Sequence, residues 1–135
     1  MKVAQAGTAI VLLHAIAHGL HGLAHVKIPV SLSSLQSVFI VAVIFLAPII
    51  AAILLWTTFD RVGSWLLLSS MAGAILFGLY NHLLVISPDH ISQVSSTGWG
   101  LLFQITAILT LIVDGLGCWI GVWGLKAIPQ PEEVS

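Results

Sequence analysis

LQSVFIVAVIFLAPIIAAILLWTTF, from Leu35 to Phe59, contains no ionisable side chain. About 20 consecutive apolar residues, wound as a helix, cross the roughly 30 Å hydrocarbon core of a bilayer. The stretch is long enough for that and predicts a membrane-spanning helix, with Pro48 as the place for a kink. With no titratable group to offer, this helix is expected to be the most lipid-exposed one and to contribute least to chemistry.

Three further segments of spanning length lie around it: Val3 to Ala24, Val62 to Ile86 and Trp99 to Leu125. Breakers and polar residues separate them. The first link, Val26 to Ser34, carries Lys27, Pro29 and three serines; the second is very short and centred on Asp60-Arg61. The third, Ser87 to Gly98, carries Pro88, Asp89 and His90, and a polar tail follows over 126–135, with Pro129 and Pro131 unable to continue a helix. The predicted fold is all-α: an integral membrane four-helix bundle with short loops, a single transmembrane domain over residues 1–135 with no separate soluble domain and no internal repeat. Met1-Lys2 imitates the start of a signal peptide. Histidines interrupt the apolar run behind it and no small-x-small cleavage site is clear, so the first helix is expected to be retained.

Composition agrees. The chain of 135 residues is 59 % hydrophobic and 7 % charged, with mean hydropathy +1.11, where soluble domains carry about 25 % charged residues. Such a chain cannot cover a water-facing surface; its expected partner is the lipid bilayer. A net charge of −1 argues against nucleic acid as a partner. Cys118 is the only cysteine, so no intrachain disulfide forms and its expected role is packing. Four spans put both termini on one side, together with Arg61. Lys2, Arg61 and Lys126 then stand against Lys27 alone, which predicts cytoplasmic termini in a plasma (inner) membrane. Trp56, Trp65 and Trp123 fit the inner interface and Trp99 the outer. Ser70, Ala74 and Gly78 in the third helix, and Gly117 and Gly121 in the fourth, recur at four-residue intervals that let helix backbones approach closely.

Chemistry enters with the run HAIAHGLHGLAH. His14, His18, His21 and His25 are spaced 4, 3, 4, which places them within an arc of roughly 60° over about 16 Å of helix. Imidazoles inside hydrocarbon are costly unless partnered, so intramembrane ionisable residues are functional suspects. Depth along the helices suggests the partners. His14, with His18, falls level with Asp114, near the bilayer middle. Thr110, Cys118 and Gly121 share the face of Asp114. His82, with Asn81 beside it, falls level with His21 and His25, and Gln104 lies at a similar level. Pro88 can turn Asp89 and His90 back over the mouth of the bundle.

Neutral imidazole is a common ligand of zinc, copper and iron, and carboxylates complete or orient such a ligand set. The candidate metal ligands are therefore His14, His18, His21, His25, His82, His90, Asp89 and Asp114, with the cluster in the outer half of the bundle. Four histidines over about 16 Å cannot all reach one ion through bonds of about 2 Å, so the spacing predicts two sites, or one site and a relay. The HxxxH and HxxH spacings are similar to parts of the histidine boxes of membrane desaturases and hydroxylases. Ser87-Pro88-Asp89-His90 behind His82 is similar to the Pro-Asp-His segments of nickel and cobalt permeases. Both likenesses are confined to short stretches, and neither assigns a family.

Other functions share these residues. Two histidines from different helices, His18 or His21 with His82, are a candidate axial pair for haem b, with Gly19 and Gly22 leaving room for a porphyrin; no CxxCH for covalent haem is present. A metal-dependent oxidoreductase acting on a lipid or quinone fits the same ligands. Groups about 5–6 Å apart also suit proton hopping, so proton or metal-ion transport is a further possibility, with Asp114 as a midpoint. Histidines also hydrogen-bond between membrane helices as plain structural glue. A homo-oligomer or a subunit of a larger membrane complex is compatible with any of these.

Overall fold

The four apolar runs become four helices in the computed structural model, which describes residues 1–28 and 30–127. They are α1, Lys2–Lys27; α2, Ser34–Leu54; α3, Asp60–Leu84; and α4, Gly98–Ala127. All four are long and apolar enough to cross a membrane. Between α3 and α4 a single 3-10 turn forms over Ile91–Gln93, and no strand occurs among the described residues. Pro29, Pro129 and Pro131, and with the last two most of the polar tail, lie outside the described residues.

The helix α4 packs most extensively, on α3 along one side and on α1 along another, while α2 lies against α3. Trp56 Nε1–H donates to Thr8 Oγ1 at 2.9 Å, and His14 meets the carbonyl of Ile44 further along. Residue numbers rise along α1 as they fall along α2, so the two helices run antiparallel. His21 beside Thr106, and Val3 beside Gly124, set α1 antiparallel to α4 in the same way. The dry core, with Ile10, Val11, Leu67, Met71 and Val113, fills the half of the bundle nearer the termini. The other half, nearer the α1–α2 and α3–α4 links, is filled mainly by imidazole rings and Phe103. Large apolar side chains such as Ile16, Ile53, Leu76, Ile105 and Trp119 face outward.

Small residues set the closest helix approach. A Cβ added at Gly121 would stand 2.9 Å from Leu68 Cβ and 3.0 Å from Leu68 Cα, so α3 and α4 touch there nearly backbone to backbone. At the link end, Lys27 Nζ lies 5.7 Å from the centroid of the Trp99 ring and ties the end of α1 to the start of α4.

Helix ends differ from the sequence expectation in ways that have local causes. The second helix stops at Leu54, not Phe59. Thr57 Oγ1 donates to the Leu54 carbonyl at 2.8 Å and accepts from Phe59 N–H at 3.1 Å, closing the last turn with a side chain. Asp60-Arg61, expected as the link, instead opens α3, where an acidic residue in the first turn suits the helix dipole. The helix α1 continues past Ala24 to Lys27, and α4 begins one residue earlier and ends two later than expected. Ser33 starts α2 with a capping box: Ser33 Oγ accepts from Gln36 N–H at 3.2 Å, and Gln36 Oε1 accepts from Ser33 N–H at 2.8 Å.

Two helices carry a wide π turn. In α2 it covers Ile40–Leu46, just ahead of Pro48; in α3 it covers Leu79–Leu84 and contains His82. Such turns re-aim side chains and carbonyls and often sit at functional sites. Both face the histidine stripe.

Candidate metal centre

The stripe divides into two groups, each able to hold a metal ion: His14–His18–Asp114 and His21–His25–His82. Within each group, ligand atoms from the three side chains lie within 4.8 Å of one another.

The first group is built from α1, α4 and one carbonyl of α2. His14 and Asp114 are almost wholly buried, at 1 % and 0 % exposure. His14 Nδ1 stands 2.6 Å from Asp114 Oδ1, and His18 Nε2 lies 3.3 and 3.2 Å from the two Asp114 oxygens. On its far side His14 Nε2 lies 2.6 Å from the carbonyl oxygen of Ile44. A carbonyl only accepts, so Nε2 carries a hydrogen and donates it. In a regular helix that carbonyl would accept from the N–H of residue 48. Residue 48 is proline and has none, so no such bond forms at Ile44, and its oxygen accepts from His14. The expectation that α2 contributes least is corrected here: its side chains contribute no charge, but its backbone fixes one imidazole. In burial α2 does rank lowest, with 17 % of its most apolar window buried, against 33–39 % in the other helices.

The second group is built from α1 and α3, with support from α4 and the α3–α4 link. His21 Nδ1 lies 2.9 Å from Thr106 Oγ1. The Thr106 hydroxyl already donates to the Leu102 carbonyl at 2.7 Å, so its oxygen accepts and His21 Nδ1 carries the hydrogen. His82 Nδ1 lies 3.1 Å from the Asp89 carbonyl and donates to it in the same way. When both rings are neutral, each therefore has its lone pair on Nε2, and these two atoms face each other at 3.2 Å. Two lone pairs at that separation repel unless a proton or a cation sits between them. His25 completes the group. Its Nε2 is 3.3 Å from Asp89 Oδ1, and its Nδ1 is buried with no hydrogen-bond partner. Asp89 Oδ1 also lacks a hydrogen bond, although it lies 3.4 Å from His82 Nδ1; at these distances and angles the contacts to His25 and His82 are electrostatic. Phe103, fully buried, packs against all three rings at centroid distances of 4.8, 5.0 and 5.3 Å.

A metal–nitrogen bond of about 2.0–2.1 Å in tetrahedral geometry puts neighbouring ligand nitrogens about 3.3 Å apart. The 3.2 Å between His21 and His82 fits such an edge. The 2.6 Å between His14 and Asp114 is shorter and has the length of a charge-assisted hydrogen bond. A haem between His21 and His82 would need their nitrogens separated by two iron–nitrogen bonds with a macrocycle across the gap. At 3.2 Å, with Phe103 packed tilted against one ring and edge-on to the other, the pair leaves no slot for one.

Asp89 is brought to the second group. His90 belongs to neither: its Nδ1 accepts from Ser92 N–H at 3.1 Å, and its Nε2–H donates to the Leu83 carbonyl at 3.2 Å, capping the 3-10 turn. Gln104 ties the link to α4 by donating to the Ile91 and Val94 carbonyls at 2.9 and 3.1 Å. Asn81 accepts from Gln36 at 3.1 Å and joins α2 to α3. Cys118 lies 3.8 Å from the Leu68 carbonyl as a packing residue. Three participants are absent from the sequence expectation. Thr106 had a signal, because Thr106, Thr110 and Asp114 recur every fourth residue. The Ile44 carbonyl had one in Pro48. Phe103 had none beyond its hydrophobicity.

A cavity of about 370 Å³ opens beside the groups, touching His18, His21, His25, His82 and Asp89 at one end. No family model matches the chain, and neither the curated proteins nor the solved structures searched give a match.

Proposed function

We propose that this chain is an integral membrane protein, with its termini on the cytoplasmic side, that binds a transition-metal ion through His21, His25 and His82. The observation that carries the proposal is the inward-facing pair of Nε2 atoms at 3.2 Å, each with its Nδ1–H committed to a protein acceptor. That arrangement fixes the tautomer a metal-bound histidine needs. The unpartnered nitrogen of His25 supplies the third lone pair, and Asp89 offsets the charge of the ion. Three imidazoles without a thiolate suit zinc, copper or iron. A bound ion would supply Lewis acidity, or redox chemistry if it is copper or iron.

Purification in mild detergent from cells grown with these metals, followed by elemental analysis, tests the proposal. We expect stoichiometric metal in the wild type and near-background metal in the His21→Ala/His82→Ala double variant. Equal metal in both proteins would overturn the assignment.

A second reading concerns the other group. The 2.6 Å contact between His14 and Asp114 requires one shared proton, with a second proton held on His14 Nε2. These residues support proton storage or transfer, with His18 as the connection to the cavity. Proton flux in proteoliposomes that survives His14→Phe and Asp114→Asn would rule out a transport role.

A further inference from the structure

Extending the metal reading above, we propose that the cavity beside the histidines receives a lipid-soluble molecule with an apolar body and one neutral oxygen function, a carbonyl or a hydroxyl. The molecule reaches the cavity sideways, between α1 and α2.

The wall of the cavity has two characters. At one end stand the three histidines of the second group, with His18 and Asp89. The remainder is mostly apolar, with Val26 from α1, Ile40 and Phe45 from α2, and Ala74 and Phe77 from α3. The volume, about 370 Å³, lies at the lower end of the roughly 300–1,000 Å³ of small-molecule sites. It holds a head and the first part of a body, so a longer tail must remain outside among lipid chains.

Access follows from helix packing. The helix α1 touches α2 mainly through Ala47–Leu54, toward the termini. Nearer the links the two helices are separated by the cavity itself, lined by Gly22 on one side and Ile40 and Ile44 on the other. The seam is open at Gly22: a Cβ built there meets no atom within 4 Å, so only a larger side chain would reach across it.

Charge selects the head. Among the described residues no lysine or arginine lines the cavity, and the one carboxylate that does, Asp89, already faces His25 and His82. An anionic head must shed its water to enter from lipid, and it finds no cationic side chain there and an ion whose charge Asp89 already offsets. A cationic head would oppose the ion held by the histidines. A neutral oxygen avoids both penalties and suits the coordination position that three protein ligands leave free.

The test uses the full-length protein in lipid nanodiscs. A diazirine-bearing decanol photoprobe is crosslinked and mapped by mass spectrometry, with decyl-benzoquinone, 1-decanol and decanoate as competitors and metal content measured on the same samples. Labelling is expected on Ile40–Phe45 and Ala74–Gly78, competed by the quinone or the alcohol, with decanoate at least tenfold weaker. Whichever neutral ligand competes better identifies the carbonyl or the hydroxyl as the preferred head. Gly22→Leu is expected to cut labelling at least tenfold while metal content stays unchanged, with Gly22→Ala close to wild type because its Cβ meets no atom within 4 Å. Leucine at this open helical position also gains about 1 kcal/mol in helix propensity, so loss of folding does not explain a loss of labelling. Labelling that is non-saturable, that is insensitive to Gly22→Leu, or that decanoate competes equally well would overturn the proposal. Saturable, Gly22-dependent labelling without bound metal would sink the metal reading and leave the cavity standing; metal without such labelling would do the reverse.

Discussion

Each of the two histidine groups draws an HxxxH pair from α1, His14 and His18 in one and His21 and His25 in the other, yet they are wired in opposite senses. In the first, both nitrogens of His14 face oxygen acceptors, so hydrogens point outward from the ring on both sides. In the second, the outer nitrogens of His21 and His82 give their hydrogens to Thr106 and Asp89, and lone pairs turn toward each other. The difference comes from the helices opposite. The first pair meets a carboxylate on α4, while the second meets another imidazole on α3. Identical spacing on one helix thus yields one cluster hydrogen-bonded to a carboxylate and one in which two imidazole nitrogens face each other, and the facing helices decide which is which.

The sharpest way to break this comparison is to remove the imidazole from α3. His82→Ala should bring bound metal to near background while leaving the His14–Asp114 pair intact, as judged by elemental analysis beside ¹⁵N spectra of His14. Retention of full metal would mean the two groups are not distinct in kind. Next comes the acid. Asp114→Ala should lower stability by about 3–5 kcal/mol, the usual cost of breaking a buried charged pair by removing one partner. Asp114→Asn, which can still hydrogen-bond His14, should cost clearly less. Thermal unfolding in detergent measures both, and equal losses would show that shape, not the shared proton, holds the pair.

Smaller changes probe how the second group is oriented. Thr106→Val keeps the volume of the side chain but removes the oxygen that fixes His21, and metal affinity should fall about 10–100-fold, as is usual when the residue that orients a ligating histidine is lost. Metal titration measures it, and unchanged affinity would mean that His21 is oriented by something else. The smallest effect is expected from His90→Ala. It removes a cap from the Ile91–Gln93 turn, costing about 1 kcal/mol, and leaves metal affinity as it was. A drop in affinity would place His90 among the ligands after all.

Much of this is legible in the sequence alone. Long apolar runs located four helices, and depth along them matched His14 with Asp114 and His21 with His82. Helix ends were less legible, because the residues that stop α2 read as a continuation of its apolar run until the Thr57 hydroxyl is seen turning back on Leu54. Asp89 follows a proline and looked like a turn residue as readily as a site residue, yet it is 6 % exposed and faces two imidazoles. Which nitrogen of each histidine carries hydrogen was out of reach, since that depends on acceptors such as the Ile44 and Asp89 carbonyls, and backbone groups leave little trace in side-chain pattern.

The helix that lacks charge also has a mechanical role. Its hydrogen bonds hold it to α1 at two heights, through Trp56 to Thr8 and through Ile44 to His14, and to α3 through Gln36 to Asn81. A rod fastened at two heights cannot slide along its neighbour without breaking a bond at both. The contact between Ile44 and His14 therefore both holds a proton on the imidazole and fixes the height of α2 against α1.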